Sequence, residues 1–161
     1  MNPEIGLNDQ DRRGVVDILN QLLADEYVLY TKTRNFHWNV TGPHFAALHK
    51  FFEAQYDELE EVIDEVAERA RAIGGRAAGS LAEFIELTRL QEAGRGAVDS
   101  DAMLRGLADD HEKIIRGLRV ALEISAEKFS DAGTSDFLTG LMEQHEKMAW
   151  MLRAHLPAAH P

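Results

Sequence analysis

The chain has 161 residues, 45% apolar and 28% charged, which suits one folded domain and excludes disorder as its main state. Seventeen Lys and Arg against 28 Asp and Glu leave a formal charge of −11, a balance that repels phosphate backbones and anionic membranes and attracts cations. There is no Cys, so thiolate and disulfide chemistry are excluded, and no apolar run of the roughly 18 residues that could span a bilayer. The segment from Met1 to Asp11 lacks the basic and apolar parts of a secretory leader, so a cytoplasmic location is expected.

The first helix is expected from about Asp9 to Phe36, capped by Asn8. Val15, Leu19, Leu22, Leu23, Glu26 and Tyr30 recur along it at helical steps. A break follows at residues 39–43, where Pro43 suits the first position of a new helix. From Phe45 through Leu48, Phe52, Tyr56, Leu59, Ile63, Val66, Ala70 and Ile73 the apolar stripe steps by three or four, and Gly74-Gly75 closes the helix. The Gly- and Ala-rich stretch from Arg76 to Val98 reads as a crossing connection with one short helix, Leu81 to Leu87. Asp99 or Ser100 caps a third long helix, whose stripe includes Leu104, Leu107, His111, Ile114, Leu118 and Phe129. Ala132-Gly133 reads as the next break, with Thr134 or Ser135 capping a fourth helix through Leu138, Leu141, His145, Met148 and Leu152. Four long helices with one long connection, between the second and third, match a ferritin-like four-helix bundle over residues 9–156, with short tails at 1–8 and 157–161.

Seven His offer metal ligands, but neither Glu-x-x-His nor Asp-x-x-His occurs, which disfavours a diiron centre inside the bundle. His111 and His145 lie on apolar stripes and read as core residues, and Trp38 and Trp150 as packing residues. The second helix points elsewhere. With Phe45 at zero and 100° per residue, His49, Glu53, Asp64 and Glu68 fall at about 40°, 80°, 100° and 140°, well away from an apolar stripe near 325°. His49 and Asp64 are 15 residues apart, about 22 Å along the axis, so they cannot share a metal within one chain. His37 can approach His49 across the turn, and Asp64 and Glu68 lie one turn apart. Two copies of this helix packed antiparallel about a two-fold axis would bring the His pair of one chain to the carboxylates of the other, giving two equivalent sites. Two imidazoles with two carboxylates suit Fe(II); Zn(II), Mn(II) or Co(II) could occupy the same donors.

The run from His37 to His49, HWNVTGPHFAALH, resembles the signature of the Dps mini-ferritins, as do Ile63 to Ala70 with Ile73-Gly74-Gly75, and His145 to Ala154. The likeness spans about residues 8–156. It implies a hollow dodecamer that stores an iron-oxide core and a ferroxidase centre at the two-fold interface. His37 and His49 would be the imidazole ligands, with Asp64 and Glu68 contributed by the other chain. Glu53 matches a position near the second iron that often holds Asp, Trp38 the aromatic beside the site, and Arg34 a basic residue near it. Asp109 matches an acidic position in the pore that admits ions. Hydrogen peroxide is implied as the favoured oxidant, over dioxygen. Family members that bind DNA usually do so through a Lys-rich tail. Here neither the segment up to Asp11 nor the stretch after Arg153 holds Lys or Arg. Twelve copies would carry a formal charge of roughly −130, so DNA binding is not expected.

Overall fold

The computed structural model describes residues 3–157; Met1, Asn2 and residues 158–161, with His160 and most of the expected C-terminal tail, lie outside the described residues. Helix α1 runs Asp9–Asn39, α2 Phe45–Ala72, α3 Leu81–Leu87, α4 Ser100–Glu123 and α5 Ala132–Ala154. Among the described residues every element is helical. The two long hairpins, α1 with α2 and α4 with α5, pack face to face around a core that includes Leu19, Leu23, Phe52, Leu59, Leu107, Ile114, Leu118, Leu138 and Met148. None of the helices is long and apolar enough to cross a membrane.

Local chemistry sets the ends of the helices. The Asn8 side chain accepts from the backbone of Gln10 and Asp11 and so satisfies two orphan donors of α1. Pro43 does not open α2, contrary to expectation. Gly42 has φ +106°, and Phe45 N–H donates to Gly42 carbonyl at 3.1 Å, so Pro43 occupies the second position of a tight turn, where its fixed φ is favoured. At the other end of α2, Gly74 at φ +90° permits two closing bonds, Gly75 N–H to Ala70 and Gly74 N–H to Arg71.

The connection is stitched to α1 by polar side chains. Asn20 donates to Arg76 carbonyl and accepts from Ala78 N–H. Asp25, 1% exposed, accepts from Thr88 Oγ1 and from the backbone and guanidinium of Arg89. Ser80 and Glu83 cap α3 reciprocally, and Arg76 beside Glu83 holds that carboxyl at a pKa of about 2.

Two features of the second hairpin depart from the sequence reading. After Glu123 the helix widens into a π turn, residues 124–128, closed by Phe129 N–H to Ile124 carbonyl at 3.2 Å. Phe129 then reaches α1 at Gly14, where a Cβ would sit 2.2 Å from its ring. Helix α5 starts at Ala132, three to four residues early, because Asp131 caps it through Thr134 N–H and Thr134 Oγ1. Arg69 of α2 binds the same Asp131 and Thr134, tying the hairpins together.

Candidate metal centre

The corner between α1 and α2 takes only residues 40–44, so the end of one helix lies beside the start of the other. His37, buried, and His49, half-buried, meet there with ring centroids 3.8 Å apart and planes within 20°. Their bonding is reciprocal. His37 Nδ1 donates to the His49 carbonyl at 2.7 Å, and His49 Nδ1 donates to the His37 carbonyl at 2.8 Å. A carbonyl only accepts, so the proton of each neutral ring sits on Nδ1 and the lone pair on Nε2. That is the tautomer a metal-binding imidazole needs, with its orientation already set by the backbone.

Aromatic groups frame the pair. Phe45 stacks on His49 at 5.1 Å and Tyr56 meets His37 edge-on at 5.3 Å. The Arg34 guanidinium carbon lies 4.9 Å from the Tyr56 ring centre, 5.2 Å from Trp38 and 5.5 Å from Tyr30. Arg34 Nη1 donates to Tyr30 Oη at 2.6 Å, and this bond is the main reason its pKa is raised. Burial, then the Glu53 and Asp57 carboxylates, push the Tyr56 phenol up, so it stays a neutral wall. Trp38 is 63% exposed and Trp150 62%, so neither packs in the core of the chain as expected.

The carboxylates stand apart from the imidazoles. Glu53, Asp64 and Glu68 are exposed on α2. Among the described residues no three His, Asp or Glu side chains converge on a metal position within the chain. Asp64 lines an open groove with Tyr27, Tyr30, Glu60, Glu61 and Ile63. Tyr27 stacks on Phe84 of α3 at 4.3 Å, and beside Phe84 the apolar Leu81 and Ile85 are 72% and 52% exposed. Asp109 is exposed on α4; its neighbour Asp110 pairs with Lys32 at 2.5 Å, and burial raises the Asp110 pKa.

His111 and His145 are buried, as their stripe positions require, but they are not ordinary core histidines. Their Nδ1 atoms lie 2.9 Å apart, and His145 Nε2 lies 2.9 Å from Oε1 of the wholly buried Glu26. Burial first, and His145 second, hold the His111 pKa well below its ordinary value, so that ring is neutral. Sequence reasoning had placed all three on apolar stripes. The missed signal was an acid at a core position of one helix with histidines at core positions of two others. The Arg34 cage was also missed as a unit, although Tyr30, Arg34 and Trp38 are spaced by four and share a helix face.

The ferritin-like domain family matches residues 16–158. Over 142 residues the chain is 43% identical to DNA protection during starvation protein 2 of Bacillus anthracis, covering 88% of this chain and 96% of the relative. The chain belongs to the Dps branch of the ferritin-like family. A low temperature-induced protein of Nostoc is 47% identical over 152 residues, 94% of this chain and 85% of its own length. Among solved structures, the Dps protein of Vibrio cholerae, described as a member of a broad superfamily of ferritin-like diiron-carboxylate proteins, superposes with a TM-score of 0.90 at 33% identity, covering 98% of each chain. The ferritin-like four-helix bundle expected from helix periodicity is therefore the fold of this chain, and the Dps family is the one its motifs resemble.

Proposed function

We propose that this Dps-family chain is an iron-storing ferroxidase that works between two subunits of a hollow dodecamer. The observation that carries the reading is the reciprocal bonding of His37 and His49, which leaves two Nε2 lone pairs set by the backbone, while among the described residues no third His, Asp or Glu joins them to form a metal position. Asp64 and Glu68 of the partner subunit complete the donor set. The exposed apolar Leu81 and Ile85, joined through Phe84 and Tyr27 to the Asp64 groove, suit burial against that second copy. Glu53 is a further carboxylate for a second iron ion. Trp38 and Arg34 border the centre, and Asp109 lies on the route by which ions are admitted.

Iron is the substrate. Carboxylates neutralise Fe(II) and keep Fe(III) bound as a hard ion, while the imidazoles fix its position. Two Fe(II) each give up one electron; one hydrogen peroxide takes both electrons and two protons and leaves as two waters. No hydroxyl radical is released, and Fe(III) passes to an acidic inner wall to mineralise. The protection named in the relatives is then chemical, through removal of Fe(II) and peroxide, rather than by coating DNA. With a formal charge of −11 per chain, no plasmid gel shift is expected in the presence of a chelator.

Subunit mixing tests the reading. Particles of His37→Ala/His49→Ala and of Asp64→Ala/Glu68→Ala should each fail to oxidise Fe(II) with peroxide. Co-assembled, they should regain activity, because a mixed two-fold pair holds one site with all four ligands. Mixed particles that assemble normally yet stay inactive would place the chemistry elsewhere.

A further inference from the structure

Glu26, His145 and His111 come from α1, α5 and α4 and meet in the middle of the bundle, away from the α1–α2 corner. Glu26 and His145 are both 0% exposed and His111 is 1% exposed. An ionised carboxylate in such a place needs a proton, a cation or several donors. Its neighbour Asp25 shows what full satisfaction looks like, with Thr88 and Arg89 donating to both of its oxygens. Glu26 has nothing comparable: among the described residues neither Oε1 nor Oε2 receives a hydrogen bond, and His145 Nε2 makes none.

The distance between Glu26 Oε1 and His145 Nε2, 2.9 Å, is short enough for a hydrogen bond, yet the direction of the ring nitrogen does not serve one. Two donors at right angles on a six-coordinate metal, each at about 2.05 Å, lie about 2.9 Å apart without pointing at each other. The geometry points to a single divalent transition-metal cation held inside each subunit by the Glu26 carboxylate and His145 Nε2. This site is independent of the intersubunit centre and needs no second chain.

His111 acts as a positioning residue for the site. Nδ1 of neutral His111 can accept from His145 Nδ1–H at their 2.9 Å separation. The His145 proton then sits on Nδ1, and Nε2 presents its lone pair toward Glu26. A ligand imidazole whose other nitrogen donates to a fixed acceptor is the usual arrangement around bound metals. The protein supplies two ligand residues, with three donor atoms if the carboxylate binds through both oxygens. The absence of Cys and the N/O character of the set favour Zn(II), Fe(II) or Co(II) over soft ions. Full enclosure means the ion is taken up as the bundle closes and is released slowly, unlike an ion at a subunit interface.

Cobalt is a suitable probe because its visible absorption reports its ligands. The chain carrying His37→Ala, His49→Ala, Asp64→Ala and Glu68→Ala, produced in cobalt-supplemented medium and gel-filtered through chelator, should retain about one Co(II) per chain with a d–d spectrum. Adding Glu26→Gln or His145→Gln should reduce the retained cobalt to a tenth or less. His111→Gln should weaken binding on the order of 10–100-fold, the range seen when the group orienting a ligand is lost. A folded quadruple variant without cobalt, or cobalt retained despite Glu26→Gln and His145→Gln, overturns the site and leaves a proton or a water as the occupant. A second measurement keeps Glu26 and His145 intact. In nitrogen-15 histidine spectra of the zinc-loaded quadruple variant, one imidazole should show a metal-bound Nε2 and a protonated Nδ1, lost on replacing His145. Spectra in which no imidazole shifts with zinc overturn it equally.

Discussion

At the α1–α2 corner, His37 and His49 lie ring against ring, each Nδ1 bound to a backbone carbonyl and each Nε2 left over. In the middle of the bundle, His111 and His145 lie Nδ1 to Nδ1, with a buried carboxylate beyond. The first pair is oriented by main chain that the helices hold in place whatever the side chains do. The second is oriented by other side chains, so each member depends on its neighbours' protonation. Position decides the difference. The His37 carbonyl lies in the last turn of α1, where carbonyls have no partner within the helix, while the His49 carbonyl, in the second turn of α2, takes the His37 proton in addition to its place in the helix. A corner imidazole can thus be oriented for a ligand by main chain; a core imidazole is oriented only within a side-chain network, here one that includes the Glu26 carboxylate.

The largest effect expected from breaking this comparison is on stability. Removing the core imidazole with His145→Ala leaves Glu26 buried and alone, which should cost about 3 kcal/mol in denaturant unfolding. Replacing both members with leucine should recover most of that loss, since a buried pair is often no more stable than well-packed apolar residues. If His145→Ala unfolds like the parent, Glu26 is neutral and the contrast between the pairs fails.

At the corner the expected effect is on rate instead. Asp64→Asn and Glu68→Gln keep size, remove charge and lie on the exposed face of α2. Either should slow peroxide-driven Fe(II) oxidation by about 10–100-fold, measured by stopped flow, with the particle still assembled. An unchanged rate in both would mean that these carboxylates do not complete the His37–His49 site.

Acid sharpens the comparison further. The pKa of His111 is depressed in the fold, so the unfolded chain takes up a proton near the ordinary value of 6.5 while the native chain does not. Stability therefore falls as pH drops below about 6.5, by at most about 1.4 kcal/mol per pH unit for this one proton. Unfolding curves at pH 7 and pH 5 should show the slope, and a His111→Phe variant should lack it.

The smallest effect lies outside both pairs. Glu83, held at about pH 2 by Arg76, adds stability above its ordinary range that disappears as pH falls through about 2. Its carboxyl resonance should titrate near 2, and Glu83→Gln should leave Fe(II) oxidation untouched. A titration in the usual range near 4.5 would show that the Arg76 contact does not persist in solution.

The elements were legible in the sequence wherever a single local rule decides them. Steps of three and four placed the long helices, Asn8 and Gly74-Gly75 ended two of them, and Leu81–Leu87 appeared at its observed bounds. The errors arose where two rules compete. Pro43 fits both a first helical position and a turn, and the positive φ of Gly42 decides for the turn. Ala132-Gly133 resembles a break, yet Asp131, held by Arg69 of another helix, caps the helix ahead of it. The π turn leads into Phe129, which packs on Gly14, a contact between residues more than a hundred positions apart that no local rule specifies. For the candidate site, the corner explains why His37 and His49 were expected to meet. Their exchange of carbonyl bonds depends on the exact crossing of two helices, which periodicity does not specify. Glu26 was visible only as one more member of a stripe, because its consequence requires knowing which side chains of α4 and α5 face it.

The reciprocal bonds at the corner also bear on timing. A newly folded subunit on its own holds both imidazoles ready but, on the reading proposed here, none of the carboxylates that would keep an iron ion there. Redox chemistry is then withheld from the free chain and begins only when two finished subunits meet. Oxidation would start beside an enclosed space that can take the product, and a stray monomer in the presence of Fe(II) and peroxide would remain inert.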